Sequence, residues 1–276
     1  MTTHPLKSRF ALRRSDALES HLEKLRGMKF DSEHRWRWTI AGDVADVSVE
    51  ADGAIRIALV VPDPMPLSAA MAANHALPGN LRFAGPRGSM LAADTFVDGR
   101  AHLPRSFADL EVGILLALGH CPHSFSDKSP TNEQVSAAIG GGNWRDGSVV
   151  EMASGWELRP RVRGCATAVH ATIEKTELRI CRRIVAAQNT SSSYECLCAQ
   201  ALRFNEHLRH ARLTVREGAL FAESCLHGEQ ISPTWIETAA WAVAVACRYT
   251  EDVFCILTED AEVVDLYAAV FLGAAK

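Results

Sequence analysis

The sequence predicts an α+β fold with antiparallel sheets, in which one unit of order α-β-β-β-α-β-β-α occurs twice. Three observations predict it. Val47, Val49 and Ala51 alternate with Asp46, Ser48 and Glu50, and after Asp52-Gly53 the alternation resumes through Ile55, Ile57, Leu59 and Val61. Short stripes at helical spacing stand on both sides of such runs. From Trp156 onward the order of the first half returns.

Each element has a local cause. Asp16 to Arg26 carries Leu18, Leu22 and Leu25 at i, i+4 and i+7, with Asp16 and Glu19 placed as a capping box, which predicts a first helix. Strand pattern begins near Trp36 and Trp38. An Asp-Gly pair between two period-2 runs predicts a type I′ hairpin at Asp52-Gly53. Pro62, Pro64 and Pro66 end that strand, and Leu67, Ala70, Met71 and Asn74 predict a short helix stopped by Pro78-Gly79. A second hairpin is expected from Leu81–Ala84 and Ser89–Phe96 around Gly85-Pro86-Arg87-Gly88. A helix opening at Ser106, with Phe107, Leu110, Ile114 and Leu118 on one stripe, closes the half.

Composition then turns to Ser, Asn, Asp and Gly, so residues 124–155 read as a linker with a short helix at Asn132 to Ile139. The expected units are 15–123 and 156–276, the second lacking a clear first helix. In it, strands are expected at Trp156, Cys165–Ile173 and Leu178–Val185. A helix capped by Ser192 and Glu195 carries Tyr194, Leu197, Ala201 and Phe204. Strands at His207–Val215 and Ala219–Cys225 flank Glu217-Gly218, and a long apolar helix opens at Thr234 with Glu237. The halves align without gaps where Leu91, Ala93, Gly99 and Pro104 fall on Leu220, Ala222, Gly228 and Pro233. With a two-residue shift, Leu81-Arg82 and Ala84 meet Leu208-Arg209 and Ala211.

This order of elements, with Pro78-Gly79-Asn80-Leu81 after the middle helix, resembles the class I type III secretion chaperones, the Tir-chaperone group. The resemblance covers nearly the whole chain. It implies a bacterial fold that holds an unfolded segment of another protein on apolar grooves, without catalytic residues. Members are small homodimers, so fusion of two units implies an internal pseudo-dimer and a monomeric chain. An extra segment from Glu251 to Lys276 departs from the family pattern.

Composition narrows the function classes. A chain of 276 residues, 47% hydrophobic, has enough apolar material for one or two cores. A formal net charge of −4 gives no global attraction to nucleic acid or anionic lipid. No apolar run near the start has signal-peptide length, and Ala239–Cys247 is far short of a membrane span, so a cytoplasmic protein is expected. The eight cysteines sit mostly in apolar patterns and read as reduced core thiols.

Charge is uneven along the chain. Between Arg159 and Arg216 stand eleven basic residues against four acids, while the six charges between Glu251 and Asp265 are all acidic. These read as an anion-binding face, or as a solvated face and a tail folded on its own basic sheet. No aromatic residues interleave with the arginines as nucleic-acid stacking would require.

Chemical motifs are sparse. His120, Cys121 and His123 stand close together, but Pro122 interrupts them and no second ligand pair stands at metal spacing. Cys196 and Cys198, two apart on a helix, diverge. Gly140-Gly141-Gly142 lacks the preceding strand and following Lys-Ser/Thr of a phosphate loop, and no nucleophile elbow occurs. The reading assigns no catalytic, cofactor-binding or metal-binding residue and no cofactor. It expects a non-catalytic module holding a peptide segment or partner protein. The alternatives are an enzyme with a site between the halves and a regulatory protein binding an anionic partner.

Overall fold

Two six-stranded antiparallel sheets make up the frame, each with the same strand order. The computed structural model describes residues 22, 27–32, 35–49, 54–96, 103–119, 129–144, 148–187 and 192–272. The first sheet runs β1-β2-β3-β4-β6-β5, formed by Met28–Ser32, Arg35–Ile40, Asp43–Val49, Ala54–Val60, Met90–Phe96 and Arg82–Ala84. The second runs β7-β8-β11-β12-β14-β13, formed by Val149–Met152, Gly155–Leu158, Val169–Glu174, Glu177–Ala186, Ala219–His227 and Arg212–Arg216. Arg161–Val162 (β9) and Cys165–Ala166 (β10) make a separate two-stranded ribbon. In each half a helix separates the fourth large strand from the fifth: α1, Leu67–Ala76, and α4, Ser192–His207. A second helix follows the sixth: α2, Leu103–Ala117, and α5, Pro233–Glu259.

Alternation explains the inner faces. Ala45 and Val47 of β3, Ile55, Ile57 and Leu59 of β4, and Leu91 and Ala93 of β6 are all buried. Their counterparts are Val169 and Ala171, Leu178 and Ile180, and Leu220 and Ala222. α5 lies on β12 and β14 and buries Ala239, Ala240, Val243, Ala244 and Phe254. The buried apolar residues of both halves join one continuous core.

Four strands, not three, precede each middle helix. The additional strands β1 and β7 are sheet edges whose side chains are mostly exposed, so they carry no alternation for the sequence to reveal. β7 and α3 (Asn132–Gly140) both lie inside the segment 124–155 read as a linker. α3 is the short helix expected at Asn132 to Ile139, and Thr131 with Gln134 closes its capping box. α2 starts three residues before Ser106, and α5 is capped by Ser232, whose Oγ accepts from Trp235 N. The expected strand Cys165–Ile173 is broken into β10 and β11.

The expected helix Asp16–Arg26 falls outside the described residues except for buried Leu22. The Asp52-Gly53 turn also lies outside them. The flanking rungs pair Val49 with Ile55, one residue away from the register that a two-residue turn at those positions would impose. Glu217-Gly218 does match the type I′ rule, with φ of 50° and 68° between the paired Arg216 and Ala219.

The middle helices meet. α1 packs on α4 and on β13, while α4 packs on β5 and on the turn Pro86–Gly88. A Cβ at Gly88 would stand 3.1 Å from the methyl of Ala70, which is fully buried. Ala70→Leu is therefore expected to destabilise the fold by about 1–3 kcal/mol through overpacking. Urea unfolding measures it, and a loss near zero would show that the contact yields freely.

Candidate functional site at the junction of the halves

The edges of both sheets that face the junction are closed by asparagine. β5 and β13 are edge strands, and an open edge leaves backbone groups unpaired. Asn74 of α1 accepts from Phe83 N at 2.6 Å and donates to Phe83 O at 3.2 Å. Asn205 of α4 does the same to Leu213, at 2.6 and 3.0 Å. Each amide also reaches the other half: Asn74 to Leu213 O at 3.4 Å and Asn205 to Phe83 O at 3.3 Å.

Two buried arginines cap the helix ends of the opposite half. The last carbonyls of a helix have no partner within it. Arg82 of β5 donates to Asn205 O at 2.7 Å and to Leu208 O, at the end of α4. Arg212 of β13 donates to Leu77 O at 2.7 Å and Leu81 O at 2.8 Å, just beyond α1. Arg56 reaches Glu206 O, and Arg179 reaches His75 O at 3.4 Å, in the last turns of α4 and α1. A planar guanidinium with five donors suits this task; a lysine would leave carbonyls unmet.

Each buried arginine has its own carboxylate. Arg82 meets Asp94 at 2.9 Å, and Arg212 meets Glu223 at 2.9 Å, with all four side chains 3% exposed or less. Burial pushes the Asp94 carboxyl up, but Arg82 and His210 outweigh it and the net shift is downward. Burial acts likewise on Glu223, where Arg212, His75 and Arg179 together pull the group down to about 2. In this geometry Arg82 corresponds to Arg212, so the match of Arg82 to Arg209 expected from the sequence is displaced by three residues. Gly79 and His210, φ 55° and 56°, share the left-handed conformation after the two helices.

The two sides of the junction differ in their titratable groups. Beside Glu223, His75 Nδ1 lies 3.3 Å from the carboxylate and 3.0 Å from Arg179. Arg179 also meets Glu174 at 2.9 Å and Glu177 at 3.6 Å. His227 Nε2 stands 3.5 Å from Glu177, which accepts from Gly79 N at 3.0 Å. The side chains of His75, Glu174 and His227 are 32%, 36% and 20% exposed, so this cluster opens to the surface. Here a histidine and a carboxylate stand together twice, an arrangement able to hold and move protons.

The features singled out in the sequence are distributed elsewhere. His120, Cys121 and His123 lie outside the described residues. Gly140 ends α3 and Gly141 caps its C-terminus, so the triplet stops a helix rather than opening one. Cys196 and Cys198 are buried in α4, Cys196 Sγ contacting Val264 O at 3.7 Å and the Cys198 thiol raised by burial to about 12. The seven described cysteines are free.

The basic stretch is divided between the junction and the surface, with Arg179 and Arg212 buried and six of its eleven basic residues exposed. Arg179 and Arg212 serve the junction, Arg159 pairs with Glu157, and Arg216 lies over the Phe221 ring and near Glu174. Arg163 stacks on Tyr249, which ties the basic half to α5. Among the described residues no group of three or more His, Cys, Asp and Glu side chains is placed to hold a metal ion, and no helix is long and apolar enough to cross a membrane.

No protein-family model and no curated protein matches the chain. Among solved structures it is similar to DynU16, a protein in the dynemicin biosynthetic locus, at 12% identity over 82% of this chain and 86% of that one. The TM-score of 0.17 is too low to carry a common fold or function.

Glu223 makes the junction acid-sensitive in a defined window. Its folded pKa is depressed from 4.5 to about 2, so its contribution is whole above about 4.5 and is lost as pH falls toward 2. Glu223→Gln should cost about 3 kcal/mol at pH 7 and flatten the fall in stability across that window. Urea midpoints measured from pH 7 to 2 test this, and an unchanged slope in the variant would remove Glu223 from the account.

Proposed function

We propose that the chain is a duplicated pair of secretion-chaperone-like domains acting as an internal pseudo-dimer, which holds a peptide segment or a partner protein without a chemical step. Supporting the duplication are the shared strand order and the exchange of arginine caps between α1 and α4. That exchange satisfies, within one chain, the surface through which a homodimer would associate. A cytoplasmic monomer follows from this reading.

Apolar side chains left at the far edges are the observation that carries the binding role. Phe30 of β1 is 57% exposed, and Val150 and Met152 of β7 are 41% and 45% exposed. Single exposed hydrophobes are ordinary, but here they stand on the two edges of the six-stranded sheets that, among the described residues, lie away from the junction. Light scattering should give the mass of a single chain; a stable dimer would end the pseudo-dimer model. An immobilised panel of extended apolar peptides should bind the protein, with Phe30→Glu and Met152→Glu each weakening binding about tenfold, near 1.4 kcal/mol. Equal binding by the variants would move the partner site elsewhere.

A second reading, an enzyme acting at the junction mouth, rests on the pairs His75–Glu223 and His227–Glu177. It requires turnover in an activity screen that His75→Gln and His227→Gln both abolish while the fold persists.

A further inference from the structure

The outer face of the second sheet carries a largely buried guanidinium without a strong acceptor. Leu178 and Ile180 of β12 and Leu220 and Ala222 of β14 are buried in the core on the side of α5, so the alternate residues Cys181, Arg183 and Phe221 face away from it. Register sets their neighbours. Arg183 stands opposite Phe221, Phe221 opposite Thr214, and His170 opposite Cys181. Arg216, two residues beyond Thr214, lies over the Phe221 ring at 4.5 Å and reaches Cys181 Sγ at 3.3 Å. Directly opposed residues of a sheet stand about 5 Å apart at Cβ, so Arg183 flanks the same ring that Arg216 covers.

Arg216 is poorly served for a cation so enclosed. Its side chain is 18% exposed, and its Nε is buried with no hydrogen-bond partner among the described residues. Its polar contacts are the Cys181 sulfur and Glu174 at 3.5 Å, a carboxylate that Arg179 already holds at 2.9 Å. Burial pushes the Cys181 thiol up, so the sulfur is a neutral and weak acceptor. A guanidinium taken out of water is stable where oxyanion oxygens meet its donors. Arg183 and His170 are exposed beside it and form no hydrogen bond or ion pair among the described residues.

Charge selects the oxyanion. Arg179 and Arg212 balance Glu177 and Glu223, and Arg183 with Arg216 against Glu174 leaves one positive charge. A single charge matches a carboxylate and not a dianionic phosphate, and Phe221 offers an apolar wall to the body that carries it.

We propose that this patch binds a small carboxylate on an apolar or aromatic body. The carboxylate oxygens lie between Arg216 and Arg183, and the body lies beside Phe221. The patch is three strands in from β7, and the proposal does not rest on the peptide-holding reading.

Titration of the full chain with benzoate, phenylacetate and hexanoate, followed in proton–nitrogen NMR spectra of the arginine side chains, tests it. At least one of the three should saturate at one site and shift the Arg216 Nε–Hε resonance. Its neutral amide should bind at least about tenfold more weakly, since the charge-assisted hydrogen bonds are lost. Arg183→Gln, an exposed change, should weaken the acid about tenfold, and Arg216→Lys, which keeps the charge but loses the planar fork, by about as much. Arg37→Gln, at an exposed position of the first sheet, should leave binding unchanged, and urea midpoints show whether each variant folds. No saturation by any of the three acids, equal binding of acid and amide, or unchanged binding in both Arg183→Gln and Arg216→Lys would each overturn the proposal. Inorganic phosphate competing as tightly as the best carboxylate would overturn it too.

Discussion

Everything at the centre of this molecule answers to one constraint: two helix C-termini and two sheet edges meet where water is excluded. Four orphan carbonyls per helix and one unpaired ladder per edge would each cost about 1–3 kcal/mol per group if left unmet. Arg82 and Arg212 meet the carbonyls across the junction, and Asn74 and Asn205 meet the edges. Because the arginines serve the opposite half, and each asparagine closes its own edge while reaching across to the other, neither half is complete alone. The cost of burying the two guanidinium ions is offset by Asp94 and Glu223.

A polar junction of this kind is a weak source of stability and a strong source of register. Replacing a buried ion pair by hydrocarbon is often neutral or stabilising, whereas removing one partner is severe. Sliding α1 by one residue would leave Asn74 facing no amide and Arg212 facing no carbonyl. Apolar contact between Ala70, Gly88 and Leu202 tolerates close approach but does not by itself choose a position along the helix. The asparagines and arginines choose it.

What the sequence disclosed follows from how burial writes itself into a chain. β3 and β4 alternate because one face is buried and the other is not, and the period shows. β1 and β7 bury almost nothing and were silent. The roles of Arg82 and Arg212 were not legible in the sequence, since their acceptors lie 126 and 135 residues away and only the fold brings them near. Asn74 was legible as a buried position of α1 but not as a clamp on Phe83. The excess of arginine before residue 216 was visible, yet its distribution between a buried junction and a solvated face was not.

Halves that share a strand order need not keep identical faces. On the first sheet, the face beside Arg56 and Asp94 continues into exposed Val44 and Val60, the latter 71% exposed. On the second, the face beside Glu223 continues into Cys181, Phe221, Arg183 and Arg216, with Glu174 and two histidines nearby. Both begin from the same arginine–carboxylate pair, so the shared part is what joins the halves and the divergent part lies outward. Packing at the junction constrains the first kind of residue in both halves together, because each caps the other. No such coupling acts on the outward residues, which leaves the two faces free to diverge. Functional difference between the halves is therefore to be sought on those outer faces and at the open edges, and not in the core that they share.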